Sequence, residues 1–117
     1  MPNLTLKYSN NFVAEKELKS FVQNVHSILI NNLKVKTTSC RSLLLPCDYV
    51  FDKSEINSVF IELRLVVKHG YSKGLLEETT TQILELFKSK FAHNAQKIKF
   101  AIELKQISDD YFSCNNF

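Results

Sequence analysis

The chain has 117 residues, 44% apolar and 23% charged, with thirteen Lys, two Arg, twelve acids and a formal net charge of +3. That length holds one domain whose core can form without a metal or disulfide, and two Gly, two Pro and no low-complexity run exclude a disordered or collagenous chain. The lysines are scattered among acids instead of forming a basic stripe, which argues against nucleic acid, and triplets such as Leu43–Leu45 are far too short to span a membrane.

No apolar stretch follows Met1, so the expected location is the cytoplasm. Leu4, Leu6 and Tyr8 alternate with Thr5 and Lys7, a period-two strand closed by the turn-favouring Ser9-Asn10-Asn11. From Glu15 to about Ile30, Leu18, Phe21, Val22, Val25, Ile28 and Leu29 fall on one stripe of an amphipathic helix, which Asn31-Asn32 is expected to end. Residues Thr37 to Phe51 are rich in β-formers and predict a second strand, with Pro46 at an edge, a bulge or the strand's end. After a turn over 52–57, Val59 to Lys68 places Val59, Ile61, Leu63, Leu65 and Val67 on one face of a third strand. The loop His69–Gly74 leads into a second helix from Leu75 to Phe91, acidic early and basic late as the helix dipole favours. Ile98, Phe100, Ile102 and Leu104 then alternate with Lys97, Lys99, Ala101, Glu103 and Lys105 in a half-buried fourth strand.

Each strand–helix–strand passage is long enough for a parallel crossover. The expected fold is therefore α+β in two layers, with two βαβ units (1–57 and 58–108) sharing one four-stranded sheet, both helices on one face, and a tail at 109–117. The other face has no cover within the chain, and Phe60, Val66 and Leu44 are candidates for it. Apolar groups on an open sheet face predict an oligomer.

Cys40, Cys47 and Cys114 lack the paired spacing of zinc or dithiol motifs, so no metal is expected and the thiols read as reduced. Pro2 has two readings. It can simply open an edge strand, where its missing N–H is harmless. Alternatively, if Met1 is removed, Pro2 carries a free secondary amine on a rigid ring; burial would lower its pKa and make it a general base near neutral pH.

Four segments bear on that choice: the opening Met-Pro-Asn-Leu-Thr-Leu-Lys-Tyr-Ser-Asn-Asn, Cys40-Arg41-Ser42, Val59-Phe60-Ile61, and Ile83-Leu84-Glu85-Leu86-Phe87-Lys88. Together with the doubled βαβ order, they resemble the 5-carboxymethyl-2-hydroxymuconate isomerase family of the tautomerase superfamily, over nearly the whole chain to about Gln106. The resemblance implies a tautomerase-like fold, a homotrimer and a cofactor-independent isomerase of aromatic acid catabolism, in the degradation of homoprotocatechuate. It implies that Pro2 takes a proton from a dienol and returns it at a distant carbon. It also implies that Arg41 holds a substrate carboxylate and stabilises the developing enolate, work for which a guanidinium fork is suited.

The chain departs from the family in the loop after the third strand, where a second substrate-binding arginine is expected. Here the loop reads His69-Gly70-Tyr71-Ser72-Lys73-Gly74; Tyr71 takes the arginine's place and Lys73 is the nearby full-time cation, a point charge rather than a fork. Lys73 and Tyr71 are thus the candidate substrate contacts beside Pro2 and Arg41. The competing expectation is a non-enzymatic oligomeric binding protein on the same fold, with Met1 retained and Pro2 an ordinary imide. Arg64, beside Glu62 and Lys68, and the histidines His26, His69 and His93 are not assigned to the site.

Overall fold

A computed structural model describes residues 2–12, 14–48, 58–94 and 96–108. Strand β1 (Asn3–Ser9) is followed by helix α1 (Glu15–Leu33), strand β2 (Arg41–Cys47), strand β3 (Ser58–Val67), helix α2 (Lys73–Phe91) and strand β4 (Lys97–Gln106). The turn expected over 52–57 and the tail at 109–117 lie outside the described residues, as do Tyr49 to Phe51 of the expected second strand.

The strands form one sheet in the order β2-β1-β3-β4. β1 pairs with β2 in parallel, β3 pairs with β4 in parallel, and the two units meet along an antiparallel β1–β3 seam. The alternation in the sequence sets the faces. Leu4, Leu6 and Tyr8 of β1 and Ile61, Leu63, Leu65 and Val67 of β3 are buried beneath the helices. The helices contribute Leu18, Phe21, Val22, Val25, Leu29 and Leu33 from α1, and Leu76, Ile83, Phe87 and Phe91 from α2. Phe21 meets the edges of Phe87, Phe91 and Phe100, while Phe87 stacks on Phe100. This aromatic cluster ties both helices to β4.

Helix α1 runs past Asn31-Asn32 to Leu33, correcting the earlier end expected for it. The reason is tertiary: Asn32 Nδ2 donates to Thr79 Oγ1 at 3.1 Å and to Gln82 Oε1 at 3.0 Å on α2, so its carboxamide joins the helices instead of competing with the backbone. The left-handed residue that stops α1 is Lys34, at φ 56°, whose N–H returns to Ile30 O. Ser72 caps α2, its hydroxyl accepting from the Leu75 N–H at 3.2 Å. Near the other end of the sheet, Tyr8 OH donates to Glu15 Oε1 at 2.6 Å; burial, then this carboxylate, pushes the phenol up to about 12.

Two strand expectations change. β2 begins at Arg41, because Thr37–Ser39 form a single 3-10 turn whose bonds Ser39 N–H to Lys36 O and Cys40 N–H to Thr37 O take the chain out of the sheet. The register Leu6↔Leu44 then turns Leu44 toward the helices, where it packs on the core, and leaves Leu43 and Leu45 on the open face. Among the described residues they and Phe60 are the exposed large apolar groups of that face, Leu43 at 54%, Leu45 at 39% and Phe60 at 46% exposure. Arg64 lies there too, its Nε 3.3 Å from Glu103 Oε1 across the β3–β4 register.

Candidate active site

The parallel β1–β2 pairing brings Pro2 and Arg41 to the same end of the sheet, although they lie 39 positions apart in the chain. The Arg41 N–H donates to the Pro2 carbonyl at 3.2 Å, and the next pair in the register is Asn3↔Arg41. Pro2 is buried and has the parity of Leu4, toward the helices. Arg41 is exposed and shares the open face with Asn3. The two side chains therefore share the end of the sheet rather than one face.

Two contacts hold this corner. His26 Nε2 on α1 is hydrogen-bonded to Ser42 Oγ, which locks the second residue of β2 onto the helix. Burial lowers the His26 pKa, so the neutral ring is favoured. Cys40, half-buried just before Arg41, has its thiol pKa raised by burial, as expected of an inert thiol. The sequence carries no signal for the His26–Ser42 pair; 16 residues separate its members, and only the α1–β2 crossover brings them together.

Lys73 and Tyr71 form a second locus. They line an open groove of about 760 Å³ with Leu76, Glu77, Thr80 and Gln106, between the start of α2 and the end of β4. Lys73 is 91% exposed, with Nζ 3.8 Å from Glu77 Oε1. Tyr71 is half-buried, and its hydroxyl donates to Leu33 O at 3.1 Å, satisfying a carbonyl at the end of α1. The groove and the Pro2–Arg41 corner are related through the register. Continuing Asn3↔Val66 by one residue sets Val67 opposite Pro2, and Val67 pairs with Gln106 on the groove wall. At about 4.8 Å per strand, Pro2 and Gln106 are about 10 Å apart.

Among the described residues no group of three or more His, Cys, Asp or Glu could hold a metal ion. No described helix is long and apolar enough to cross a membrane.

Comparison with known proteins places these features in a family setting. The family profile for 5-carboxymethyl-2-hydroxymuconate isomerase matches residues 2–117. No curated protein sequence matches the chain significantly. Among solved structures, a 5-carboxymethyl-2-hydroxymuconate isomerase from Deinococcus radiodurans R1 is similar at 23% identity, covering 98% of this chain and 90% of its own, with a TM-score of 0.78. A 5-carboxymethyl-2-hydroxymuconate delta-isomerase superposes with a TM-score of 0.83 at 15% identity, over 99% of this chain and 89% of its own. A fused 4-OT described as a wild type symmetric trimer gives 0.75 at 12% identity, over 97% and 93%. These likenesses establish the tautomerase-like α+β fold.

Proposed function

This chain belongs to the 5-carboxymethyl-2-hydroxymuconate isomerase family, and from that premise we propose that it isomerises 5-carboxymethyl-2-hydroxymuconate or a related unsaturated hydroxy or keto di- or tricarboxylate, using Pro2 as its proton carrier. The observation that carries this reading is the burial of Pro2 at the sheet end where Arg41 begins β2.

With Met1 removed, Pro2 presents a secondary amine at a buried position, where desolvation favours the neutral base. The amine takes the proton of the dienol hydroxyl. The O–H electron pair closes the carbonyl, the conjugated double bonds shift, and the distant carbon takes a proton from the prolinium. The proton removed is the proton returned, so the step balances without an oxidant, a reductant or a cofactor. Arg41 supplies the guanidinium that holds a substrate carboxylate and stabilises negative charge on the enolate. Lys73 is assigned to a second carboxylate, as a point charge, and Tyr71 to the groove wall beside it.

The exposed Leu43, Leu45 and Phe60 support assembly into a homotrimer, in which neighbouring subunits cover the open face. Family membership supports a place in aromatic acid catabolism, and a cytoplasmic location is proposed with it.

The test has two steps. Intact mass of the protein as made in cells should show loss of Met1; full retention would leave Pro2 an imide with no free amine of its own and favour a non-enzymatic binding protein. Pro2→Ala should then lower kcat by about a hundredfold or more on 5-carboxymethyl-2-hydroxymuconate, and an undiminished rate would refute the mechanism.

A further inference from the structure

We infer that Asn3 is a positioning residue for Arg41: its carboxamide oxygen is the acceptor that holds one edge of the guanidinium while the other edge meets the substrate carboxylate. This rests on reading Arg41 as the carboxylate clamp.

Asn3 opens β1 directly after Pro2, and its side chain lies on the open face. Its Oδ1 is shielded from solvent and accepts no hydrogen bond from the described residues, Arg41 included, in the conformation seen. A shielded carbonyl oxygen without a donor carries its desolvation penalty uncompensated, so its presence calls for an explanation. The register supplies one. Within its row Asn3 is flanked by Val66 of β3 and Arg41 of β2. Valine has no side-chain donor, whereas the guanidinium carries five.

The geometry suits the task set for Arg41. Arg41 and Asn3 stand on the open face, and Pro2, which is buried, has the parity of the other. A guanidinium left to itself is free to extend into solvent away from Pro2. One anchored on Asn3 lies over the end of β1, next to the proline, and still keeps a pair of parallel N–H groups for a carboxylate. Asn3 touches neither the substrate nor the moving proton; it acts through Arg41.

The test uses the full chain with Met1 removed and two readouts. The first is KM and kcat on 5-carboxymethyl-2-hydroxymuconate. The second is binding of glutarate, an unreactive dicarboxylate, followed by the NMR signal of the Arg41 Nε–H. Asn3→Leu keeps the volume and removes the acceptor. It should raise KM and weaken glutarate binding about tenfold, the size of one hydrogen bond to a charged donor, with kcat changed less than about threefold. Because the acceptor's partner is an exposed side chain, the melting temperature should change little. Asn3→Asp, which retains an acceptor, should restore glutarate binding, and Asn3→Leu should have no further effect in an Arg41→Ala background.

Equal losses in the Arg41 and Arg41→Ala backgrounds, or unchanged binding by Asn3→Leu, overturn the inference. So does a fall in melting temperature, which would make Asn3 structural. Wild-type protein that binds glutarate without turning over the substrate refutes the isomerase reading alone, and the glutarate series then decides the role of Asn3. Turnover without glutarate binding leaves the decision to KM. Failure of both removes the clamp and the inference with it.

Discussion

The Arg41 N–H donates to the Pro2 carbonyl oxygen across 3.2 Å, so the residue that begins β2 is tied by backbone to the residue that precedes β1. An arginine and a proline are thereby set at one sheet end by main-chain pairing rather than by side-chain packing. Substituting either side chain should leave the other's backbone in place, which makes this site open to dissection by mutation.

Arg41→Ala should raise KM for a carboxylated dienol about ten- to a hundredfold, the loss of a charge-assisted hydrogen-bond pair. Arg41→Lys should recover only part of that, since an ammonium restores the charge without the fork. The side chain is exposed, so thermal unfolding should be nearly unaffected by either change. Unchanged kcat and KM in Arg41→Ala would remove the residue from the site.

How far these features were legible in the chain depends on whether local pattern or pairing determines them. β3 and β4 alternate so regularly that their spans and faces follow from period two alone, and Leu63 and Ile102 sit where that pattern places them. The Leu43–Leu45 run has no alternation, so only its pairing with β1 decides that Leu44 turns inward and its neighbours outward. The end of α1 was obscured because Asn32 reads locally as a stop, yet its carboxamide bonds Thr79, 47 residues away. At the site, Pro2 and Arg41 stand out by residue type and family resemblance. Asn3 and the His26–Ser42 pair do not, because what distinguishes them is an unfilled acceptor and a contact across the crossover.

The open face yields a prediction about assembly. Leu43 and Phe60 are half exposed on a surface that also carries the Arg64–Glu103 pair. Leu43→Glu combined with Phe60→Glu places carboxylates where a neighbouring subunit would bury apolar surface. Light scattering should report a trimer for the unmodified chain and a monomer for the variant, with the circular dichroism of the fold retained. A monomeric unmodified chain at micromolar concentration would contradict the assembly.

Lys73 and Tyr71 should separate cleanly. Lys73→Ala should raise KM with little effect on stability, and the increase should shrink in high salt because the charge is exposed. Tyr71→Phe removes the donor to Leu33 O and should destabilise the fold by about 1 kcal/mol, leaving KM nearly unchanged. The reverse pattern, a stability effect at Lys73 and a KM effect at Tyr71, would exchange their roles.

The last prediction concerns pH and the contact beside Arg41. Burial lowers the His26 pKa in the folded state below its ordinary value of about 6.5, while in the unfolded chain the ring titrates near that value. Between those two pKa values the unfolded chain binds the extra proton, so folding stability rises with pH. The contribution is fully present above about 6.5 and is lost as pH falls through the folded pKa. His26→Gln, which keeps a polar group toward Ser42 but cannot titrate in this range, should therefore flatten the decline in melting temperature below pH 6.5. The comparison is a set of thermal melts of both proteins from neutral to mildly acidic pH. Parallel declines would show that His26 does not govern the acid sensitivity of this corner. A flattened decline, with KM rising at low pH in the unmodified protein but not in the variant, would show that the α1–β2 contact supports the placement of Arg41.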